Sequence, residues 1–358
     1  MDAPDRLSAT TDLVVVSDDT HRHHDPPFEL NAGQQVQPVP DRPARLEAIA
    51  AAVRAAGLTE RAALPHDDAV LTAVHDPGML AFLRDGHAEW VAAGGPDVLI
   101  PDTFRSPRWN RGGRPTASPL GRAGWYVTDT ATPIVAGSWR AARAGADVAC
   151  SAVDAVLAGH RAAYAMTRPP GHHAGPDYLG GFCLLNLAAI AAARLRAHGR
   201  VAIVDVDVHH GNGTQDVFWT DPQVLYVSVH TDPDHQYPYL SGTAAELGEG
   251  PGQGTTRNLP LAPGTSDAGV LHAVEVACEL VTAFDPTAVV VSLGLDTAAS
   301  DPLGRLALSP EGFAPLGRLL AALDRPTVLV QEGGYALEVI GRAAVDVLTA
   351  FRVPPVRP

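Results

Sequence analysis

The chain has 358 residues, 46% of them hydrophobic, and a formal net charge of −14. That charge excludes a general nucleic-acid surface, which requires a basic face, while the apolar share is ample for a large core. Three widely spaced cysteines, Cys150, Cys183 and Cys278, make neither a paired metal knuckle nor a disulfide framework.

In chain order, Leu13 to Val16 reads as a short apolar strand, followed by a polar stretch whose His21, His23 and His24 read as a surface loop. Asp41 is placed to cap a helix with Pro43 in its first turn; Leu46, Ile49 and Val53 form its buried stripe and Gly57 ends it. Met79, Leu80 and Leu83 suggest a second helix. From about 94 to 124 the chain is dense in Pro, Gly and Arg without periodicity, which predicts a long insertion loop. Thereafter the pattern alternates: helix 141–159, strand 163–167, helix 185–198, strand 201–206, strand 224–229, helix 267–283, strand 288–293, helix 310–323, strand 327–330 and a closing helix near 336–351. The alternation predicts an α/β fold, one domain over 1–358, with a mostly parallel central sheet and helices on both faces. No run approaches the ~20 apolar residues of a membrane span, and a cytoplasmic, soluble protein is the expectation.

The reactive residues sit just past the ends of the apolar strands. Val201 to Val204 leads into Asp205-Val206-Asp207-Val208-His209-His210-Gly211-Asn212-Gly213. Alternate positions of a strand share a face, so Asp205, Asp207 and His209 are expected to point the same way. A carboxylate and an imidazole two residues apart suit one divalent cation; Asp residues that merely cap neighbouring loops are the alternative. The strand 163–167 ends in Arg168-Pro169-Pro170-Gly171-His172-His173, and the strand 288–293 ends just before Asp296. His230 follows the strand at 224, and Gln331-Glu332-Gly333-Gly334-Tyr335 follows the strand at 327. Parallel sheets place their sites at this edge, so five such exits point to one site.

Those segments, with Gly180-Gly181-Phe182-Cys183 and Asp301-Pro302-Leu303-Gly304, resemble the histone deacetylase and acetylpolyamine amidohydrolase superfamily. They occur in that family's order from about residue 40 onward. His230-Thr231-Asp232-Pro233, Tyr237-Pro238-Tyr239-Leu240 and Gly254 to Asn258 look closer to the acetylpolyamine branch. The resemblance implies the arginase/deacetylase-like fold and a zinc-dependent amidohydrolase that removes acetyl or another short acyl group from an N-acylated amine. It implies one Zn2+ held by Asp207, His209 and Asp296, three ligands with an open position being the catalytic arrangement. It assigns proton transfer to His173, electrostatic support to His172, and oxyanion donation to Tyr335. Asp205 and Asn212 become the partners of His172 and His173 respectively. Phe182 and, more weakly, Tyr237 would line the channel, Gly333 would lie against the bound substrate, and Glu29 would match an acidic residue of the entrance. His210 is expected to pack or hydrogen-bond instead of binding metal. The family pattern also allows structural K+ or Na+ around Asp205–His209, and a homodimer built through the 94–124 loop.

One departure weakens polyamine preference. Leu120 stands where the branch's loop carries an acid, and the loop holds Arg105, Arg108, Arg111 and Arg114. Arginines facing the channel would repel a polycation, whereas arginines facing solvent or a partner subunit would not. The alternatives are a protein acetyl-lysine deacetylase, a dinuclear manganese ureohydrolase and a catalytically silent binding module. The ureohydrolase lacks an acid after His209, and the silent module predicts a damaged site.

Overall fold

The computed structural model describes residues 10–31, 35–106, 108 and 113–352. Its strands are β1 (Thr10–Ser17), β2 (Glu29–Leu30), β3 (Val36–Gln37), β4 (Thr59–Ala62), β5 (His160–Met166), β6 (Val201–Asp205), β7 (Val224–Thr231), β8 (Thr256–Leu261), β9 (Ala288–Leu293) and β10 (Thr327–Gln331). Its helices are α1 (Pro43–Ala55), α2 (Ala69–Thr72), α3 (Pro77–Ala92), α4 (Pro119–Tyr126), α5 (Ser138–Leu157), α6 (Leu187–Leu195), α7 (Asn212–Val217), α8 (Asp267–Phe284), α9 (Phe313–Ala321) and α10 (Leu337–Thr349).

Eight strands form one sheet in the order β4-β1-β5-β10-β9-β6-β7-β8, and every neighbouring pair is parallel. The short β2–β3 ribbon is antiparallel and separate. Parallel strands need both faces covered, which is why the central ones read as continuous Val/Ile/Ala runs. Val14, Ala163, Ile203, Val290 and Val328 enter a core beneath α3, α5 and α6. Their neighbours Val15, Tyr164, Val204, Val291 and Leu329 enter a second core beneath α1, α8, α9 and α10. Each fully buried Val or Leu contributes about 1.5–3 kcal/mol, so the two layers hold the sheet from both sides.

The sequence expectations are met in the alternating part and fail in particular places. β6 ends at Asp205, so Asp205, Asp207 and His209 do not lie on one strand; residues 206–210 form an irregular turn. Val206 and Val208 nonetheless stay in the core, which keeps the acids on the other side. Asp41 does not cap α1, whose N-cap Arg42 makes no side-chain cap. His21 and His24 are buried and only His23 is exposed, so this cluster is no surface loop. The irregular segment is shorter than expected, because α4 begins at Pro119, with Ser118 Oγ accepting from Gly121 N at 3.3 Å. The edge strands β4 and β8 have no apolar run: β4 is Thr-Glu-Arg-Ala, and β8 carries Pro260, which an edge tolerates.

Candidate active site

Strands β5, β10, β9 and β6 adjoin in that order and release their reactive residues at one edge. The turn after β6 and the exit of β9 bring Asp207, His209 and Asp296 together, with one ligand atom from each within 4.8 Å of the others. Among the described residues no other group of His, Cys, Asp and Glu is so placed. Backbone N–H groups aim both carboxylates. Asp207 accepts from His209 N at 2.9 Å and Gly333 N at 2.8 Å, and Asp296 Oδ1 accepts from Val208 N at 2.9 Å. His209 Nδ1 lies 3.0 Å from Asp207 Oδ1 and 3.3 Å from Asp296 Oδ2. Asp296 Oδ2 is buried and makes no hydrogen bond with the described residues.

An oxygen left bare inside the protein is costly, and a shared cation would satisfy it. The donor set of two carboxylates and one imidazole therefore fits a divalent ion. Burial and the Asp207 charge push Asp296 up to about 7, while the same two carboxylates override burial and hold His209 up at about 9. Gly333 is a packing requirement here, since a Cβ would collide with Asp296 Oδ2 and Asp207 Oδ2.

Beside this cluster the two imidazoles of His172 and His173 lie 4.0 Å apart, centroid to centroid. Each has its own acceptor: His172 Nδ1 is 3.0 Å from Asp205 Oδ2, and His173 Nδ1 is 2.7 Å from Asn212 Oδ1. Burial alone would lower His172, but Asp207 and Asp205 override it and hold the ring up at about 10. Burial, with His172 and His209 as neighbours, drives His173 well below the ordinary imidazole value. The two adjacent imidazoles are thus pushed in opposite directions. Glu332 supports the turn that carries them, accepting from Gly171 N at 2.6 Å and His172 N at 3.1 Å.

Tyr335 approaches from the β10 exit, its backbone N–H donating to Asp301 Oδ2 at 2.6 Å. Burial keeps its phenol well above the usual range, so the hydroxyl remains a donor. Its ring stands 5.7 Å from that of Phe182, and Tyr237 stands 4.9 Å from His173, edge to face. Of the aromatic side chains named for the channel, Phe182 thus lies beside Tyr335, and Tyr237 beside His173 and, at 6.4 Å, His209. Glu29 is buried in β2, with Oε1 accepting from Gln37 Nε2 at 2.5 Å, and its strand is tied to the loop after α4 by Leu30 N donating to Thr130 O at 3.2 Å. His210 takes no part in the cluster, and its Nε2 is 3.1 Å from Gln215 Oε1.

Three residues escaped the sequence reading. Arg45 is buried; its Nε donates to Gly334 O and its Nη2 to Glu332 O at 2.7 Å, and its guanidinium lies 4.5 Å from the centre of the Tyr335 ring. Asp41, instead of capping a helix, accepts from both Arg45 and Arg168. The signal was available, since Arg45 shares the inward i, i+4 stripe with Ile49 and Val53, four residues after Asp41. Asp129 is the third, and nothing in Thr128-Asp129-Thr130 marks it in the sequence. In the 94–118 segment, Arg105 is tied to Asp177 at 2.6 and 3.0 Å and packs against Trp125. Arg108 and Arg114 are exposed, Arg111 lies outside the described residues, and Leu120 packs against the core.

Comparison with known proteins identifies the family. The family described as histone deacetylase domain matches residues 39–351. Acetylpolyamine amidohydrolase 1 of Pseudomonas aeruginosa is 42% identical over 95% of this chain and 98% of its own. The acetylpolyamine amidohydrolase of Mycoplana ramosa is 39% identical over 94% and 98%. The crystal structure of acetylpolyamine aminohydrolase from Burkholderia pseudomallei superposes with a TM-score of 0.90 at 38% identity, covering 95% of this chain and 98% of that one. With its fold and nearly all of its length matched, the protein belongs to the histone deacetylase domain family of amide-cleaving hydrolases.

Proposed function

We propose that the protein is a zinc-dependent deacetylase that removes an acetyl or other short acyl group from a small N-acylated amine, with acetylpolyamines the first substrates to test. The observation that carries this reading is the buried Asp207–His209–Asp296 cluster with a bare Asp296 oxygen, set beside the paired imidazoles of His172 and His173, each on its own acceptor. Asp207, His209 and Asp296 would hold the ion, whose contribution is Lewis acidity toward the amide carbonyl and the attacking water. The rest is done by the chain's own groups.

His173 donates through Nδ1 to Asn212 Oδ1, which leaves Nε2 as the basic atom. Neutral because of its burial and its charged neighbours, it takes a proton from the attacking water and returns it to the amine nitrogen as the C–N bond breaks. His172, held through Nδ1 by Asp205 Oδ2, supports the negative charge that develops beside it. The Tyr335 hydroxyl donates to the carbonyl oxygen as that oxygen becomes anionic. Phe182 and Tyr237 exclude water and align the alkyl arm. Water thus supplies a hydroxyl to the acyl group and a hydrogen to the amine, and no other reagent is needed.

The names of the relatives favour acetylpolyamines over acetylated proteins. The tie between Arg105 and Asp177 supports the same choice, because it removes one expected source of repulsion. The finer parts of the reading are zinc as the ion, structural K+ or Na+ near Asp205–His209, a homodimer built through the 94–124 region and a cytoplasmic setting. No described helix is long and apolar enough to cross a membrane.

The test is turnover by zinc-loaded protein over acetylpolyamines, acetyl-lysine peptides and acetylated amino metabolites, with metal content measured in parallel. Tyr335→Phe should retain zinc and lose about 10²–10³ in kcat. Absence of turnover across all three classes overturns the enzyme reading, and about two manganese ions per chain would point to ureohydrolase chemistry instead.

A further inference from the structure

The turn that presents Phe182 is strained. Gly181 and Phe182 both have left-handed backbones, at φ 55° and 66°. Glycine adopts this at no steric cost, whereas an aromatic residue does so only when its surroundings impose it. The pair forms the centre of a tight turn closed by Cys183 N donating to Gly180 O at 2.8 Å, and the loop after α4 braces that turn from outside. Phe182 N donates to Thr132 Oγ1 at 3.0 Å, and Thr132 Oγ1 donates to Asp129 Oδ1 at 2.9 Å. The other oxygen, Asp129 Oδ2, accepts from Gly181 N at 2.6 Å and from the Tyr237 hydroxyl at 2.9 Å.

The two oxygens of Asp129 do different things. Oδ1 closes its own turn, accepting from Ala131 N as well as from Thr132, which is what a loop aspartate commonly does. Oδ2 reaches across the chain to two segments that no local turn requires it to touch. Those segments carry Phe182 and Tyr237, one wall of the approach each. A carboxylate can accept several donors at once and charge-assisted bonds are the stronger ones, so one side chain can fix both walls.

We infer that Asp129 is a positioning residue that sets the width of the substrate channel, by clamping the Phe182 turn and the Tyr237 hydroxyl to a single carboxylate. This rests on the deacetylase reading and deepens it, for it makes the enzyme selective for slender, unbranched amine arms. A slit whose walls cannot part accepts a straight methylene chain and rejects a branch beside the amide nitrogen. One extra carbon in a tight pocket changes kcat/KM by about 10–200-fold.

The experiment compares an N-acetylated straight-chain alkylamine with its isomer branched at the carbon next to nitrogen, using the zinc-loaded enzyme. Wild type should prefer the straight amide at least about tenfold. In Asp129→Ala the straight-amide KM should rise about tenfold with kcat changed less than about threefold, and the preference should fall about tenfold. Thr132→Val, which frees only the Phe182 side, should shift the preference the same way by less. Asp129→Asn, which keeps one carbonyl acceptor, should recover part of it. Zinc content and the melting curve separate these effects from loss of fold; should Asp129→Ala be insoluble, the other two variants read the same ratio. A ratio preserved within about twofold in folded, zinc-loaded variants overturns the inference and leaves the deacetylase reading intact. Wild type that cleaves neither amide overturns the reading and the inference together.

Discussion

Strands β1 and β4 on one side of the sheet, and β5, β10, β9 and β6 at its centre, run parallel and release their chains at the same edge. Charged residues follow the strands in both regions. Beyond β1 and β4 they stand in water: Arg22 pairs with Asp19 and Glu47, and Arg54 with Glu60, around a cleft of about 460 Å³. At the centre the same residue types are enclosed, and each must be matched by a partner or change its protonation. Glu332 is pushed up to about 7 by burial, and Asp296 likewise by burial and Asp207. His172 is held near 10 by carboxylates that outweigh its burial. Charge at a strand edge therefore does not by itself mark the chemistry. What marks it is a set of buried charges that do not balance among themselves.

The largest expected effect tests that imbalance. Asp296→Asn should lose the metal and about 10⁴ in kcat/KM, the several kcal/mol a Lewis acid supplies. The same variant without metal should melt no lower than metal-free wild type, because it relieves the repulsion with Asp207. Metal content, kinetics and a melt after chelation check all three. A metal-free variant that is markedly less stable would show the cluster to be structural.

Asp41→Ala comes next. It leaves Arg45 and Arg168 buried without their shared carboxylate, which should cost about 3–5 kcal/mol, read from the denaturant midpoint. Activity should fall as well, since Arg45 grips the carbonyls on either side of Gly333 and lies over Tyr335.

The same contrast explains what could be read in the sequence. The central strands were legible because burial on both faces leaves only Val, Ile, Leu and Ala, so the acids at their ends stand out. β4 has an exposed, polar face and looks like a loop, and α4 is hidden by the Pro and Gly of its first turn. The Asp207–His209–Asp296 cluster was legible by spacing and resemblance, although Asp207 and His209 reach it from the turn after β6 and not from a continuous strand. Asp129 was invisible because its role depends on partners 52 and 108 residues away. Arg45 was overlooked because helix arginines are ordinarily taken as exposed.

A pH prediction sharpens the comparison within the interior itself. His24 and His75 are buried like His172 but lack its carboxylates, and burial lowers them to about 3 and about 4. His75 depends on this, because its Nε2 accepts from Asn186 N at 2.9 Å and a protonated ring could not. Below pH 6.5 the unfolded chain takes up protons that the folded chain refuses at these two positions. Their contribution is intact above pH 6.5 and is lost as pH falls toward 4. At pH 5 each should cost on the order of 2 kcal/mol of stability. Asp296 and Glu332, held up at about 7, shift stability the opposite way. The pH 7 to pH 5 change in unfolding free energy is therefore compared between wild type and His75→Gln, and an identical change in both would contradict the neutral assignment.

The smallest expected effect tests the other region. Arg22 and Glu47 are 51% and 48% exposed and sit 3.0 Å apart, so water screens their attraction and side-chain entropy offsets most of the remainder. Glu47→Ala should change stability by no more than about 0.5 kcal/mol, and raising the salt should erase even that. Neither residue belongs to the arrangement around Asp296, so kcat/KM should stay within about twofold of wild type. A tenfold loss of activity in this variant would mean that the cleft beyond β1 and β4 communicates with the centre. Burial would then no longer separate the two regions.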